Sequence, residues 1–178
     1  MKSQLKKLTT AKLLELHKSK PICHAVDTIT AVKEFFSIGG AVSGGAAIAY
    51  LQDSDTKDID FYFNDEDNYL YASSIAPPRI DVCWYFESPY ELHDLDLTQI
   101  AIFKDEMDRS GEYDTAWAFK MSHIIGDCMV YPRGTAARIL KYNTKYGFKF
   151  YRNEVLALCA RYNLLDMAEK LILTTLAI

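Results

Sequence analysis

Hydrophobic and polar positions along the chain predict short elements in which helices and strands alternate. A first helix begins at Thr9 or Thr10 and runs to about His17, and a second runs from about Asp27 to Phe36. The small-residue segment that opens at Ala41 predicts a short strand, since it is apolar and lies between glycine pairs. The chain therefore begins with helices and enters a sheet near residue 41.

Three further strands are predicted. Asp58–Phe63 alternates polar and apolar residues, Ile80–Phe86 is almost continuously apolar, and Asp96–Phe103 alternates in part. An apolar segment, Ala46–Leu51, follows the first strand as a helix, and a short helix ending near Ser73 separates the second strand from the third.

The remainder of the chain has helical spacing. Helices are predicted over Tyr113–Ile125 and over Arg133–Tyr146, where Pro132 starts the second helix and Gly147 ends it. The tail from about Asn153 to Leu176 predicts a helical hairpin that breaks near Asn163. The fold class expected is α/β: a small mixed sheet with flanking helices over residues 1–112, and a C-terminal helical part over 113–178 packed on this core.

Two carboxylates share one face of the second predicted strand. Asp58 and Asp60 are two positions apart, so their side chains project to the same side, while Ile59 and Phe61 project to the other. Two neighbouring carboxylates repel each other unless a cation neutralises them. Mg²⁺ is held in this way, by one or two carboxylates together with substrate phosphates.

A glycine pair, Gly44-Gly45, precedes these acids and opens the predicted Ala46–Leu51 helix. Backbone N–H groups at a helix N-terminus bind anions, and glycine leaves them unobstructed. Ser43 either contacts a phosphate oxygen or caps the helix. Gly39-Gly40 is a rival phosphate pair, but it is not followed directly by a helix. Together, the glycines and acids predict a nucleotide site.

The order of strand, Gly44-Gly45, helix and Asp58-Ile59-Asp60 resembles the signature of the DNA polymerase β-like nucleotidyltransferase superfamily. The resemblance covers Ala41–Phe63 well and residues 80–103 in part. It implies that a hydroxyl attacks the α-phosphorus of a nucleoside triphosphate such as ATP and releases pyrophosphate. It also implies that two Mg²⁺ or Mn²⁺ ions are held by three acids.

Two residues are candidates for the third acid. Asp81 and Asp96 each stand between apolar residues on a predicted strand. The segment Asp96–Ala101 is similar to a segment of the transfer-RNA CCA-adding branch, and Asp81 is similar to that branch's third acid. We favour Asp96, whose segment is the more specific match. That branch has an arginine pair where this chain has Asp94-Leu95, and Asp94 is expected to be solvated.

A basic, aromatic segment occupies residues 128–153, which contain no Asp or Glu. Arg138, Lys141 and Lys145 lie on one face of the predicted helix. The resemblance implies a lysine that holds the outer phosphates, for which we favour Lys141, with Arg138 behind it. The tyrosines between them suit single-stranded RNA, and a solvated basic face is the alternative.

Composition excludes several classes. The net charge is −4, so no overall positive field attracts nucleic acid. The cysteines are scattered singly, which predicts reduced thiols and argues against a structural zinc site. We predict a cytosolic protein, since the N-terminus is too interrupted for a signal peptide and no apolar run has membrane length.

The sequence therefore predicts a metal-dependent nucleotidyltransferase with an RNA, protein or small-molecule acceptor. The alternatives are a catalytically silent nucleotidyltransferase-like module that binds a protein or RNA partner, and an antibiotic- or toxin-type enzyme that uses the same chemistry.

Overall fold

The computed structural model describes residues 25–54, 56–126 and 129–176. The helix predicted near Thr9–His17 lies outside the described residues. The described chain divides by its contacts into two units. The first comprises the described residues up to Glu91 together with Ile100–Arg109, and the second comprises Leu92–Gln99 and the described residues from Ser110 onward.

The first unit is a mixed sheet with helices. Its helices are α1 (Ala25–Ser37), α2 (Gly44–Leu51) and α3 (Glu66–Ile75), and its strands are β1 (Ala41–Ser43), β2 (Ile59–Phe63), β3 (Ile80–Trp84), β4 (Ile100–Ile102) and β5 (Met107–Arg109). The strand order is β3-β2-β1-β4-β5. Only β2 and β3 are parallel, and every other neighbouring pair is antiparallel. The predicted small mixed sheet with helices is confirmed.

One face of the sheet is buried by aromatic packing. Alternate residues of β2, Ile59, Phe61 and Phe63, are fully buried, and the residues between them are only partly covered. Phe35 and Phe36 of α1 contact the Phe61 ring edge-on, with centroids 5.3 and 5.0 Å away. Burying each of these large side chains stabilises the fold by roughly 1.5–3 kcal/mol. The alternation leaves the other face of β2 for polar residues.

The second unit is mainly helical. Its helices are α4 (Gly111–Phe119), α5 (Pro132–Tyr146), α6 (Arg152–Arg161) and α7 (Leu165–Ile172), and a parallel pair of two-residue strands, β6 (Met121–Ser122) and β7 (Lys149–Phe150), lies among them. Gly147 ends α5 in the left-handed region, with φ of 75°. Asn163 lies between α6 and α7 with φ of 52°. The predicted α5 and the hairpin break are confirmed.

The helix predicted over Tyr113–Ile125 is wrong in its second half. It ends at Phe119, and Lys120 follows in the left-handed region with φ of 55°. The next two residues form β6. This strand pairs with β7, which follows α5 in the chain. A partner about thirty residues away along the chain overrides the local apolar spacing, and no glycine marks the helix end.

The predicted fourth strand is also shorter than expected. Asp96–Thr98 forms one 3₁₀ turn, and β4 begins only at Ile100. The Thr98 hydroxyl donates to the carbonyl oxygen of Leu95 at 2.6 Å, a local bond that competes with strand pairing. Similarly, β3 ends at Trp84, because the Glu91 carboxylate accepts the N–H groups of Phe86, Glu87 and Ser88. Within the described part of the chain, no helix has the length and apolar character needed to cross a membrane.

Candidate active site

Asp60 and Asp81 form a row of two carboxylates across neighbouring strands. They are direct partners in the parallel β2–β3 pair, and partners in register share a face of the sheet. Asp60 is half-buried and Asp81 is exposed. Both lie near Cys83: burial raises the pKa of its thiol to about 11, and the negative charges of Asp60 and Asp81 add to the shift. The two carboxylates and the thiol therefore occupy one patch, on the face away from Phe61.

Asp58 lies one residue before β2 and is exposed. Because it directly precedes Ile59, it lies at the N-terminal end of β2, near Asp60. Carboxylate oxygens are the ligands that Mg²⁺ prefers, and one or two carboxylates together with substrate phosphates complete such a site. The donors present thus fit a hard divalent cation. Among the described residues, no three His, Cys, Asp or Glu side chains already stand in an arrangement that could hold a metal ion.

The Gly44-Gly45 pair lies at the same end of the sheet as these acids. β1 and β2 are antiparallel, with Val42 opposite Phe61, so the end of β1 lies beside the start of β2. The helix α2 begins at Gly44, directly after β1, and Gly44 has φ of 64°. This conformation favours glycine. A helix N-terminus and a carboxylate row are thus adjacent at one edge of the first unit.

Ser43 does not cap α2. Its side chain is fully buried and donates a hydrogen bond to the carbonyl oxygen of Ile100, and it makes no capping bond to the helix. The capping alternative is therefore wrong, because the hydroxyl ties β1 to β4 instead. The phosphate contact of Ser43 stays a prediction.

The rival glycine pair, Gly39-Gly40, has a structural explanation. Gly39 follows α1 with φ of 88°, a left-handed residue of the kind that ends helices. A Cβ on Gly40 would lie 2.7 Å from the Phe63 ring and 2.8 Å from the carbonyl oxygen of Phe35. Close packing therefore accounts for Gly40, which supports Gly44-Gly45 as the pair at the candidate site.

Asp96 belongs to the second unit, where its carboxylate is buried and engaged. Its oxygens accept hydrogen bonds from the Ser122 hydroxyl and from the backbone N–H of His123, the latter at 3.1 Å. Burial raises the pKa of Asp96 above its usual range, although these hydrogen bonds oppose the shift. Both bonds tie the 3₁₀ turn to the β6 segment. The metal-binding role of Asp96 stays a prediction.

Asp94, expected to be solvated, is buried. Its carboxylate accepts hydrogen bonds from Thr135 and from the Arg138 guanidinium, both on α5. A carboxylate that leaves water needs such partners, and an arginine provides charge as well as donors. The buried state of Asp94 could not be predicted from sequence, because its partners lie more than forty residues away. One feature of the sequence does point to such a pair. Residues 128–153 contain arginines but no Asp or Glu, so a carboxylate partner for these arginines has to come from another part of the chain.

Lys141 is exposed, and its ammonium group lies 5.4 Å from the centre of the Tyr142 ring. Lys145 lies similarly over Tyr146, at 5.2 Å. Tyr142 itself is buried, so it is a packing residue and has no exposed face on which a base could stack. The lysines lie along one helix, as predicted, and their contact with phosphate stays a prediction.

His93 directly precedes Asp94, and its pKa is well below the usual value for histidine. Burial lowers the pKa of its imidazole from 6.5 to about 4, against the opposing effect of the Asp94 charge. Between these pH values the unfolded chain binds more protons than the folded one. Stability that is present above pH 6.5 is therefore lost as the pH falls toward 4.

We expect acidification from pH 7 to pH 4 to cost up to about 3 kcal/mol through His93, from the difference between its folded and unfolded pKa. Urea unfolding at half-unit pH intervals measures this effect. His93→Gln, which does not titrate, should lack this component, so the difference between the two curves isolates His93. Parallel curves for the two proteins would contradict the assignment.

Comparison with known proteins supports the fold. No protein-family profile matches the chain, and no curated protein matches it in sequence. A CCA-adding enzyme in complex with CTP is similar in structure, with a TM-score of 0.54 and 15% identity over 89% of this chain and 47% of that one. An apo form of a CCA-adding enzyme gives a TM-score of 0.52 and 13% identity over the same shares.

This chain thus spans about half the length of the CCA-adding enzymes that it resembles. At such low identity, the likeness shows the fold alone. The predicted α/β fold, a small mixed sheet with flanking and C-terminal helices, is confirmed: the chain has the fold of part of a CCA-adding enzyme.

Proposed function

We propose that this chain is a metal-dependent nucleotidyltransferase. A hydroxyl of the acceptor attacks the α-phosphorus of a nucleoside triphosphate, a new P–O bond forms, and the bond to pyrophosphate breaks. When bound, two divalent cations would activate the hydroxyl and stabilise the leaving oxygens. The observation that carries the proposal is the Asp60–Asp81 row beside the N-terminus of α2.

The residues of the chain have distinct proposed roles. Asp58 and Asp60 hold the cations, and the β2–β3 register supports Asp81 rather than Asp96 as the third acid. The N–H groups of Gly44 and Gly45 bind the triphosphate, as helix N-termini bind anions. Lys141 and Arg138 are the residues that we propose for the outer phosphates, and Ser43 stands beside the glycines.

An RNA 3′ hydroxyl is the acceptor that we favour over a protein or a small molecule. The similar solved structures are CCA-adding enzymes, and the sequence resembles the transfer-RNA CCA-adding branch at Asp96–Ala101. The acid-free, basic segment of residues 128–153 also suits a polyanion.

The proposal is tested by incubating the full chain with Mg²⁺ and each nucleoside triphosphate in turn, in the presence of separated RNA, protein and small-molecule fractions. The triphosphate carries its label on the α-phosphorus, because a γ-label would leave with pyrophosphate. We expect label in RNA. Label in protein would correct the acceptor, and no label in any fraction would favour the silent binding module.

We also expect Mg²⁺ together with a triphosphate to raise the melting temperature more than Mg²⁺ alone. At a ligand concentration about a hundredfold above Kd, binding adds roughly 2.7 kcal/mol of stability. Asp60→Asn should lose this shift, because the cation loses a charged ligand. A shift of equal size in the variant would contradict the assignment of Asp60.

A further inference from the structure

Two stacked aromatic rings lie on the exposed side of the β6–β7 ribbon. We propose that His123 and Tyr151 form a stacking platform for an unpaired base of single-stranded RNA. Both residues belong to the second unit. This inference rests on the proposed function, in which RNA is the favoured acceptor, and deepens it by assigning residues of the chain to the acceptor strand.

The β6–β7 ribbon has a buried side and an exposed side. Ser122 and Phe150 are partners in the pair and are fully buried, whereas the pair that precedes them is only half-buried. Side chains alternate along a strand, so the next residue of each strand returns to the exposed side. These next residues are His123 and Tyr151.

The His123 ring is held at one face and at one edge. Its imidazole stacks on the Tyr151 ring, with centroids 3.9 Å apart and planes inclined by 13°. Nδ1 of His123 lies 2.7 Å from Oε1 of Glu154, and Nδ1 is the donor because an ionised carboxylate only accepts. The other Glu154 oxygen accepts the backbone N–H of Ile124 at 2.8 Å, so the carboxylate is itself fixed. Two neighbours therefore fix the plane of the imidazole.

The other face of the imidazole remains open to solvent. Although Tyr151 covers one face and Glu154 one edge, 54% of the His123 side chain is exposed. Unpaired RNA bases stack on exposed aromatic side chains, histidine included. A mobile surface side chain loses rotamer freedom when it binds a ligand, whereas this ring is already ordered. The open face is thus preorganised for a planar base.

The charges around the ribbon favour a polyanion. Lys149 lies two positions before Tyr151 and so on the same side of β7, and Arg152 follows Tyr151 and is exposed. The carboxylates nearby are already engaged: Glu154 accepts the two bonds described above, and Asp96 accepts bonds from β6 and from the backbone N–H of His123. Cations beside an exposed stacking ring are the features with which proteins bind single-stranded RNA independently of its sequence.

The experiment measures the Kd of the full chain for an unstructured, fluorescently labelled RNA by fluorescence anisotropy. The RNA is about twelve nucleotides long, a length in the range that single-stranded sites cover. An oligomer with the same sugar-phosphate backbone but without bases separates stacking from charge. The melting temperature of each variant is recorded in parallel. The variants are His123→Ala, His123→Phe, Tyr151→Ala and Glu154→Gln. Tyr131→Ala is the matched control, because Tyr131 is exposed and lies in the same acid-free segment.

We expect His123→Ala to raise the Kd for the RNA about tenfold, as the loss of one base stack does, and to leave the Kd for the baseless oligomer unchanged. His123→Phe keeps a flat ring and should retain most of the affinity. Tyr151→Ala and Glu154→Gln loosen the imidazole without removing it, so each should raise the Kd for the RNA by a smaller factor. The Tyr131→Ala control should bind both oligomers as the wild type does.

An unchanged Kd for the RNA in His123→Ala would overturn the proposal and leave the stack as a packing contact. An equal loss of affinity for both oligomers would also overturn it, since charge alone would then explain the binding. Should Tyr151→Ala fail to fold, the two His123 variants decide, because that side chain is largely exposed.

The labelling assay keeps this inference separate from the proposed function. If the wild type transfers α-label to RNA but His123→Ala binds RNA as tightly as the wild type, only the platform fails. If His123→Ala weakens RNA binding but the wild type transfers no label to any fraction, the platform stands and the proposed function fails. A wild type that binds no single-stranded RNA refutes the platform whatever the labelling shows.

Discussion

Replacing Asp60 by asparagine is expected to lower the rate of nucleotidyl transfer by about a hundredfold to a thousandfold. This is roughly the loss seen when one group that stabilises charge at a reacting centre is removed. Asparagine keeps the size of the side chain but loses the charge that holds a cation. The protein should stay folded, since Asp60 and Asp81 are like charges in one row and the change removes their repulsion. The rate of α-label incorporation, measured beside the melting temperature, checks both parts.

Asp105→Asn is the matched control for this change. Asp105 is exposed and lies in the connection between β4 and β5. The end of β4 lies beside the start of β1, because Val42 pairs with Ile102, so this connection is at the opposite end of the sheet from Gly44. The control should keep the full rate. An Asp60→Asn variant that also keeps it would refute the assignment of the site.

The third acid is decided by the same assay. Asp81→Asn should behave like Asp60→Asn, with lost transfer and an unchanged melting temperature. Asp96→Asn should mainly lower the melting temperature, because its buried oxygens accept bonds from Ser122 and His123. The reverse pattern, in which Asp96→Asn is stable but inactive and Asp81→Asn is active, would assign the role to Asp96.

Much of the first unit could be predicted from sequence because its information is local. The alternation in β2 separates Asp60 from Phe61, and the order of strand, glycine pair and helix places Gly44 at the start of α2. These features depend on side-chain periodicity and on backbone conformations that favour glycine. Neither requires knowledge of distant contacts, so both could be read directly.

The register of the sheet could not be read in this way. That Asp60 stands beside Asp81 depends on the parallel pairing of β2 with β3, which α3 and its connections set. The buried state of Asp94 depends likewise on Thr135 and Arg138, which approach from a helix far along the chain. The residues next to an aspartate in sequence do not reveal whether its carboxylate faces solvent, as that of Asp81 does, or an arginine, as that of Asp94 does.

The Gly39-Gly40 pair allows a packing role to be separated from a phosphate-binding role. Gly40→Ala would place a Cβ 2.7 Å from the Phe63 ring and 2.8 Å from the carbonyl oxygen of Phe35. Neither neighbour moves easily: Phe63 is buried and packs edge-on against the Phe35 ring, with centroids 5.7 Å apart. Overpacking typically costs about 1–3 kcal/mol, and two contacts below 3 Å place this change at the upper end, at about 3 kcal/mol.

We therefore expect Gly40→Ala to lower the melting temperature by roughly 6–12 °C in a chain of this length, while the transfer rate per folded molecule is retained. Gly111→Ala is the control, since its added Cβ meets nothing within 4 Å. Gly45→Ala should do the opposite of Gly40→Ala: its methyl group obstructs the N-terminus of α2, so triphosphate affinity falls with little change in melting temperature. If Gly40→Ala instead abolishes triphosphate binding in a protein that melts normally, the phosphate pair is Gly39-Gly40.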